Sequence, residues 1–187
     1  MIASSAPCDL YPRILGEAWE ELAGAVRSAH LVGGEKRGRF RVTHGKSFVA
    51  RRLIRWSRLP HDDDNAQVVL RIRADGNHQR WERRFGADAF TTVQWATDGC
   101  LVERFDCWEL RFALRVKDRA LVYEQCGARL CLGSIRVPVP LTCSPRVQAR
   151  EEADGTDRVH VHVTVTLPCL GLLIAYEGHL GVEDLPS

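Results

Sequence analysis

The chain has 187 residues, 45% of them hydrophobic and 27% charged, the proportions of one ordinary globular domain that needs no covalent staples to fold. No apolar run approaches the ~20 residues of a membrane-spanning helix, and the opening Met-Ile-Ala-Ser-Ser-Ala-Pro has neither the basic nor the apolar region of a secretory signal. The net charge of +2 conceals an asymmetry: residues 36–58 hold nine Lys or Arg and no acid, leaving seventeen basic against twenty-four acidic residues elsewhere. One surface is therefore expected to be positive and the rest mildly negative. Seven cysteines, an odd number without C-x-x-C spacing, read as reduced thiols of a cytoplasmic protein.

The first predicted element is an amphipathic helix over about 12–31. Pro12 suits its first turn, Leu15, Trp19, Leu22, Val26 and Ala29 recur at helical spacing, and Gly33-Gly34 stops it. Arg39 to Thr43 alternates weakly, as a short strand would. A second helix is predicted over about 46–59, with Val49, Leu53 and Trp56 on an apolar side and Arg51, Arg52, Arg55 and Arg58 as a basic patch.

From about residue 66 to 181 the period changes to two. Val68, Leu70 and Ile72 lead to the turn signal Asp75-Gly76-Asn77, and Trp81, Arg83 and Phe85 share the inner face of the return strand. Phe90 to Ala96 forms the next strand, Asp98-Gly99 the next turn, and Leu101, Glu103 and Phe105 share a face. Trp108, Leu110, Phe112, Leu114 and Val116 are the clearest apolar stripe. Leu121, Tyr123 and Gln125 follow, then a Gly- and Pro-punctuated stretch from Gly127 to Pro145. Val147 to Glu151, Val159 to Leu167 and Leu173 to Leu180 complete the strands. One apolar and one polar face per strand marks an antiparallel sheet with one buried side. About eight to ten such strands should close into a β-barrel or curl strongly. The predicted fold is thus mainly β (α+β): an antiparallel barrel or strongly curved sheet of lipocalin or fatty-acid-binding style, capped by two N-terminal helices. A helix-grip fold is the rival, but it wants a long C-terminal helix where this chain reads as strand.

The chain resembles a bacterial domain family numbered four-one-six-six among the domains of unknown function. The likeness rests on Leu10-Tyr11-Pro12-Arg13-Ile14-Leu15-Gly16, on Trp81-x-Arg83-x-Phe85, and on Leu101-x-Glu103-x-Phe105 with Leu110-x-Phe112-x-Leu114. Pro145-Arg146-Val147 and the tail from Leu167-Pro168 through Tyr176-x-Gly178-x-Leu180 extend it. The resemblance implies a shared fold and frequent fusion to reductase-like or small membrane-protein domains. It implies no catalytic residues.

Two charges interrupt otherwise apolar faces: Arg83 between Trp81 and Phe85, and Glu103 between Leu101 and Phe105. Buried charges need partners. Either they pair with each other, or Arg83, helped by the hydroxyl of Tyr123 or Tyr176, anchors the carboxylate or phosphate head of a small apolar or amphipathic acidic ligand inside the barrel, or the register differs and both face solvent. A carboxyl in an apolar setting is pushed towards neutrality, so Glu103 is also the one candidate for general acid–base work, in an enzyme or in a substrate-presenting domain of an oxidoreductase. His160 and His162 share a strand face, but no ligand pattern completes a metal site. No phosphate-loop or dinucleotide spacing exists, so no cofactor is expected. The basic helix suits a peripheral membrane or acidic-protein contact better than nucleic acid, because no aromatic stacking platform accompanies it.

Overall fold

The computed structural model describes residues 9–56 and 59–182. Eleven strands form one antiparallel sheet: β1 (Lys36–His44), β2 (Asp63–Asp75), β3 (His78–Phe85), β4 (Asp88–Thr97), β5 (Cys100–Phe105), β6 (Trp108–Lys117), β7 (Ala120–Leu132), β8 (Ile135–Pro138), β9 (Arg146–Ala153), β10 (Arg158–Leu167) and β11 (Gly171–Gly181). Neighbours in sequence pair throughout β1 to β7. β7 then pairs with β9, β9 with β10, β10 with β11, and β11 with β1, so ten strands close a ring. β8 lies outside that ring, paired with the extended end of β7.

The period-two stripes produce this arrangement directly. Trp81, Phe85, Leu101, Phe112 and Val159 are all nearly inaccessible and point into the lumen, while Arg71, Arg73, Arg84 and Arg115 alternate outward into solvent. This is the reverse of a membrane-spanning barrel, whose apolar face points out. At the Asp98-Gly99 turn both central residues have positive φ, 51° and 70°, the mirror-image turn whose twist matches a hairpin. The ring closes over a close approach at Gly178. A Cβ there would lie 2.1 Å from the Arg39 carbonyl oxygen and 2.6 Å from the Phe40 Cα, so β1 and β11 can coil together only because that side chain is missing.

Because the strands alternate in direction, the barrel has two distinct ends. At the base are the turns around residues 76, 98, 118 and 155; at the mouth are those around 86, 106 and 169, with the segments 45–56, 59–62 and 133–145. The expected helical cover is divided between them. Residues predicted as one helix over about 12–31 form three short pieces at the base: α1 (Leu10–Leu15), a 3-10 helix (Gly16–Glu21) and α2 (Gly24–Ala29). The break has a local cause. Gly16 adopts φ 58°, and Leu22 and Ala23 are extended, with the Ala23 N–H bonded to the Arg119 carbonyl at 3.0 Å. The apolar positions still face the core, with Leu22, Val26 and Ala29 buried.

At the mouth, α3 (Phe48–Trp56) is shorter than the predicted 46–59. The Ser47 hydroxyl accepts the Ala50 N–H at 3.0 Å and so caps its start. Among its described side chains Ala50 and Ile54 are buried, and Leu53, one of the predicted apolar residues, is half-buried against the core. The side chains of Val49 and Trp56, and all of Arg58, lie outside the described residues. No described helix is long and apolar enough to cross a membrane.

Candidate functional site

The lumen is not uniformly apolar. Arg83 on β3 lies opposite Phe90 of β4, and Glu103 on β5 lies opposite Gln94, so strand alternation aims both charges inward. The Arg83 Nη1 donates to the Thr92 hydroxyl at 2.8 Å, and Nη1 and Nη2 both reach one oxygen of Glu103, at 3.5 and 3.4 Å. Two nitrogens on a single oxygen is looser than the parallel fork of a strong Arg–carboxylate pair. The guanidinium also lies 4.9 Å from the Trp81 ring centre and 5.4 Å from that of Phe90, close enough for attraction to the ring faces. Burial pulls the Arg83 pKa down, but the Glu103 carboxylate together with Tyr176, Tyr11 and Tyr123 outweighs it and holds the group above its usual value. With 14% and 21% of their side chains exposed, both members of the pair face open space.

That space is two chambers. An inner cavity of about 90 Å³ extends towards the base and includes Gln94, Tyr123 and Glu151 in its wall. An apolar chamber of about 260 Å³ lies at the mouth, under Leu53, Leu59 and Pro60. Arg83, Glu103, Phe112, Val147, Val163 and Tyr176 line both. The charged pair therefore stands at the waist between them. Of the residues singled out in the sequence, Trp81, Phe85 and Tyr123 line the inner cavity.

Beyond the waist, a buried polar network closes the base. His30, from the end of α2, is 3% exposed. Its Nδ1 faces the Val26 carbonyl at 2.9 Å; a carbonyl only accepts, so this nitrogen carries a proton. Its Nε2 lies 3.1 Å from the Tyr123 hydroxyl and 3.3 Å from a Glu151 oxygen. Tyr123 donates to the other Glu151 oxygen at 3.1 Å, its oxygen is 3.2 Å from that of Tyr11, and Tyr11 donates to the Gln94 side-chain carbonyl at 2.9 Å. Burial, reinforced by Glu151, raises the pKa of Tyr11 and Tyr123 well above the usual phenol value, and burial pushes Tyr176 up to about 12. All three hydroxyls are protonated at neutral pH.

His30, Tyr11, Glu151 and Gln94 were not among the site residues the sequence pointed to, although Tyr11 stands in the Leu10–Gly16 run that carries the family resemblance. For Glu151 and Gln94 a signal existed: Glu151 is in period with Val147 and Ala149, and Gln94 with Thr92. Tyr11 and His30 arrive from the helical segment by tertiary docking, which no strand period announces.

Other singled-out residues lie elsewhere. Arg51, Arg52 and Arg55 are exposed on α3. His160 faces outward between Glu177 and Glu152, at 3.1 and 3.4 Å, and His162 approaches Glu177 at 3.7 Å; these are cross-strand surface pairs. The six described cysteines are free thiols; Cys100 and Cys126 have sulfurs 3.8 Å apart, and burial raises the pKa of the Cys126 thiol.

A closed ten-strand antiparallel barrel with a charged pair at its waist and a plugged base is the class that fold and site define. The chain belongs to the family described as Domain of unknown function (DUF4166), whose model matches residues 22–180. No curated protein matches the chain. Among solved structures it is similar to a protein of unknown function from the DUF3598 family of Nostoc punctiforme, at 13% identity and a TM-score of 0.46, covering 87% of this chain and 51% of that one. The chain thus spans about half the length of that protein.

Proposed function

We propose that the barrel binds a small amphipathic ligand, with its apolar tail in the mouth chamber and its polar head at Arg83 and Glu103. The observation that carries this is the placement of a loose ion pair where an apolar chamber meets a smaller cavity with Gln94, Tyr123 and Glu151 in its wall. Together the two chambers reach the lower end of the ~300–1,000 Å³ usual for ligand sites. Glu103 already neutralises Arg83, so a deprotonated acid would have to displace a carboxylate. A protonated acid, an alcohol or an amide can instead accept from Arg83 and donate to Glu103 at once. The preferred ligand is therefore lipid-like with a head that both gives and takes a hydrogen bond.

The test is native mass spectrometry of gently purified protein, followed by displacement of a fluorescent fatty acyl probe by dodecanol, dodecanamide and dodecanoate. Saturable binding, weakened in the Arg83→Leu/Glu103→Leu double variant, supports the proposal. If the probe does not bind, or binds the double variant equally well, it fails.

A second reading, an enzyme or a substrate-presenting domain of an oxidoreductase, draws on a specific feature. Glu103, Tyr123 and Tyr176 converge on one cavity, with His30 behind Tyr123. Glu103 would be the general acid or base. Recovery of a chemically altered ligand from the wild type, but not from Glu103→Gln, would favour it. A ligand recovered unchanged from both counts against it.

A further inference from the structure

The outer surface of the mouth differs from the rest of the barrel. Of the five large hydrophobic side chains standing exposed among the described residues, four are at this end: Phe48 at 74%, Leu132 at 57%, Ile135 at 62% and Val137 at 44%. Phe48 opens α3, the helix that covers the mouth chamber through Leu53. The other three belong to the β7–β8 hairpin, which projects past the ring; its Cys131 N–H bonds to the Cys107 carbonyl in the mouth turn between β5 and β6, at 2.7 Å. The apolar rim is thus carried by two separate protrusions flanking an apolar opening.

The rim is also cationic. Arg51, Arg52 and Arg55 are exposed on α3 and, among the described residues, form no ion pair. Arg129 is exposed on the hairpin. Of the nearby acids, Asp64 pairs with Arg41 at 3.6 Å and Asp88 with His61 at 2.7 Å, while Asp62 and Asp63 accept the His44 and Asn65 N–H at 3.2 and 2.8 Å and keep their charge, so the positive charge is concentrated on α3, which carries no acid. Asp106 is an exposed acid in the mouth turn.

We infer that the mouth is a docking face for an anionic lipid bilayer. Exposed aromatic and aliphatic side chains ringed by arginine are what a headgroup–acyl boundary holds: the apolar tips enter it while the guanidinium groups meet lipid phosphate. A bilayer is a plane, and two protrusions with a gap between them suit a plane better than a single groove would. A second copy is disfavoured, since apposing two such faces would bring Arg51, Arg52 and Arg55 against their own counterparts. Docked this way, the apolar chamber opens towards the acyl region. The inference rests on the proposed lumen site only for this route, because the docking itself can be tested without any lumen ligand.

The experiment is co-sedimentation of the full chain with phosphatidylcholine vesicles, with and without phosphatidylglycerol. It compares the wild type with Arg51→Glu/Arg52→Glu/Arg55→Glu and with Phe48→Ser/Ile135→Ser, each checked for folding by circular dichroism. Binding to the anionic vesicles that falls at least about tenfold in both variants is the expected result. The inference is overturned if the folded wild type ignores anionic vesicles, or if charge reversal leaves binding intact. It is also overturned if only the arginines matter, which would point to an acidic protein instead. Binding of the acyl probe in vesicle-free solution reports separately on the lumen, so failure of one idea leaves the other standing or falling on its own.

Discussion

The two ends of the barrel solve opposite problems. At the base the helical segment docks side chains into the ring: Leu10, Tyr11, Leu22 and Val26 are essentially inaccessible, and the buried polar atoms of Tyr11, His30 and Tyr123 all have partners. At the mouth a nine-residue helix covers an apolar chamber through one half-buried leucine, and Phe48 stands in solvent. A closely docked, hydrogen-bonded end costs free energy to disturb. An end with empty apolar volume gives up little when altered, because few contacts are there to lose. The base is the stability end of this molecule and the mouth its working end.

The largest test of that contrast is Tyr11→Ala. It removes a buried aromatic ring and leaves Gln94 short of a partner, so unfolding in urea should show a loss of about 3–5 kcal/mol. Leu53→Ala at the mouth should cost under about 1.5 kcal/mol, since its site is half-open. Equal losses would erase the distinction.

Next comes the waist. Arg83→Leu alone leaves Glu103 without its cation, and about 1–3 kcal/mol should be lost, the partial exposure of the pair keeping this below the figure for a fully buried one. Adding Glu103→Leu should return the stability to within about 1 kcal/mol of wild type. A double variant no better than the single would mean that the two residues are held by something other than each other.

Alkaline pH gives a third lever. A phenol raised to about 12 in the folded chain and near 10 when unfolded keeps its proton longer in the native state. Its contribution is complete below pH ~10 and is lost as pH rises towards ~12, at up to about 1.4 kcal/mol per pH unit. Tyr11 and Tyr123 act in the same direction. Denaturant midpoints from pH 8 to 11.5 should fall above pH 10, and Tyr176→Phe should make the fall shallower; an unchanged slope would remove Tyr176 from the account. The smallest expected effect is that of Phe48→Ser, within about 0.5 kcal/mol of wild type by thermal melting, because that side chain is solvated already.

Much of the wall was legible in the chain itself. Trp108 to Val116 and Val159 to Leu167 alternate so regularly that their inner faces followed from period alone, and Asp98-Gly99 marked its turn. Arg83 and Glu103 were visible as breaks in two other stripes, Trp81 to Phe85 and Leu101 to Phe105, and they do meet. What stayed hidden depends on distant parts of the chain. The heptad-like spacing from Leu15 to Ala29 fits a helix, yet the Ala23 N–H finds a better partner in the Arg119 carbonyl, and tertiary pairing overrides local propensity. On α3 the sequence pointed to Val49, Leu53 and Trp56, whereas the small Ala50 and Ile54, both buried, were not singled out. The basal network needs His30 from one region, Tyr123 from another and Glu151 from a third. No window of sequence holds all three.

The seam between β1 and β11 bears on how the chain is made. Arg37 lies against Gly181 and His44 against Ile174, so the first barrel strand waits for the last. At ordinary translation speeds that wait is on the order of ten seconds. Throughout it, the half-built sheet presents β1 as an open edge and its apolar inner face to whatever is nearby. The ring can close only after the ribosome has delivered β11, and contacts this distant in sequence form slowly. The newborn chain therefore passes through a sticky, unsealed stage before it ever holds a lumen.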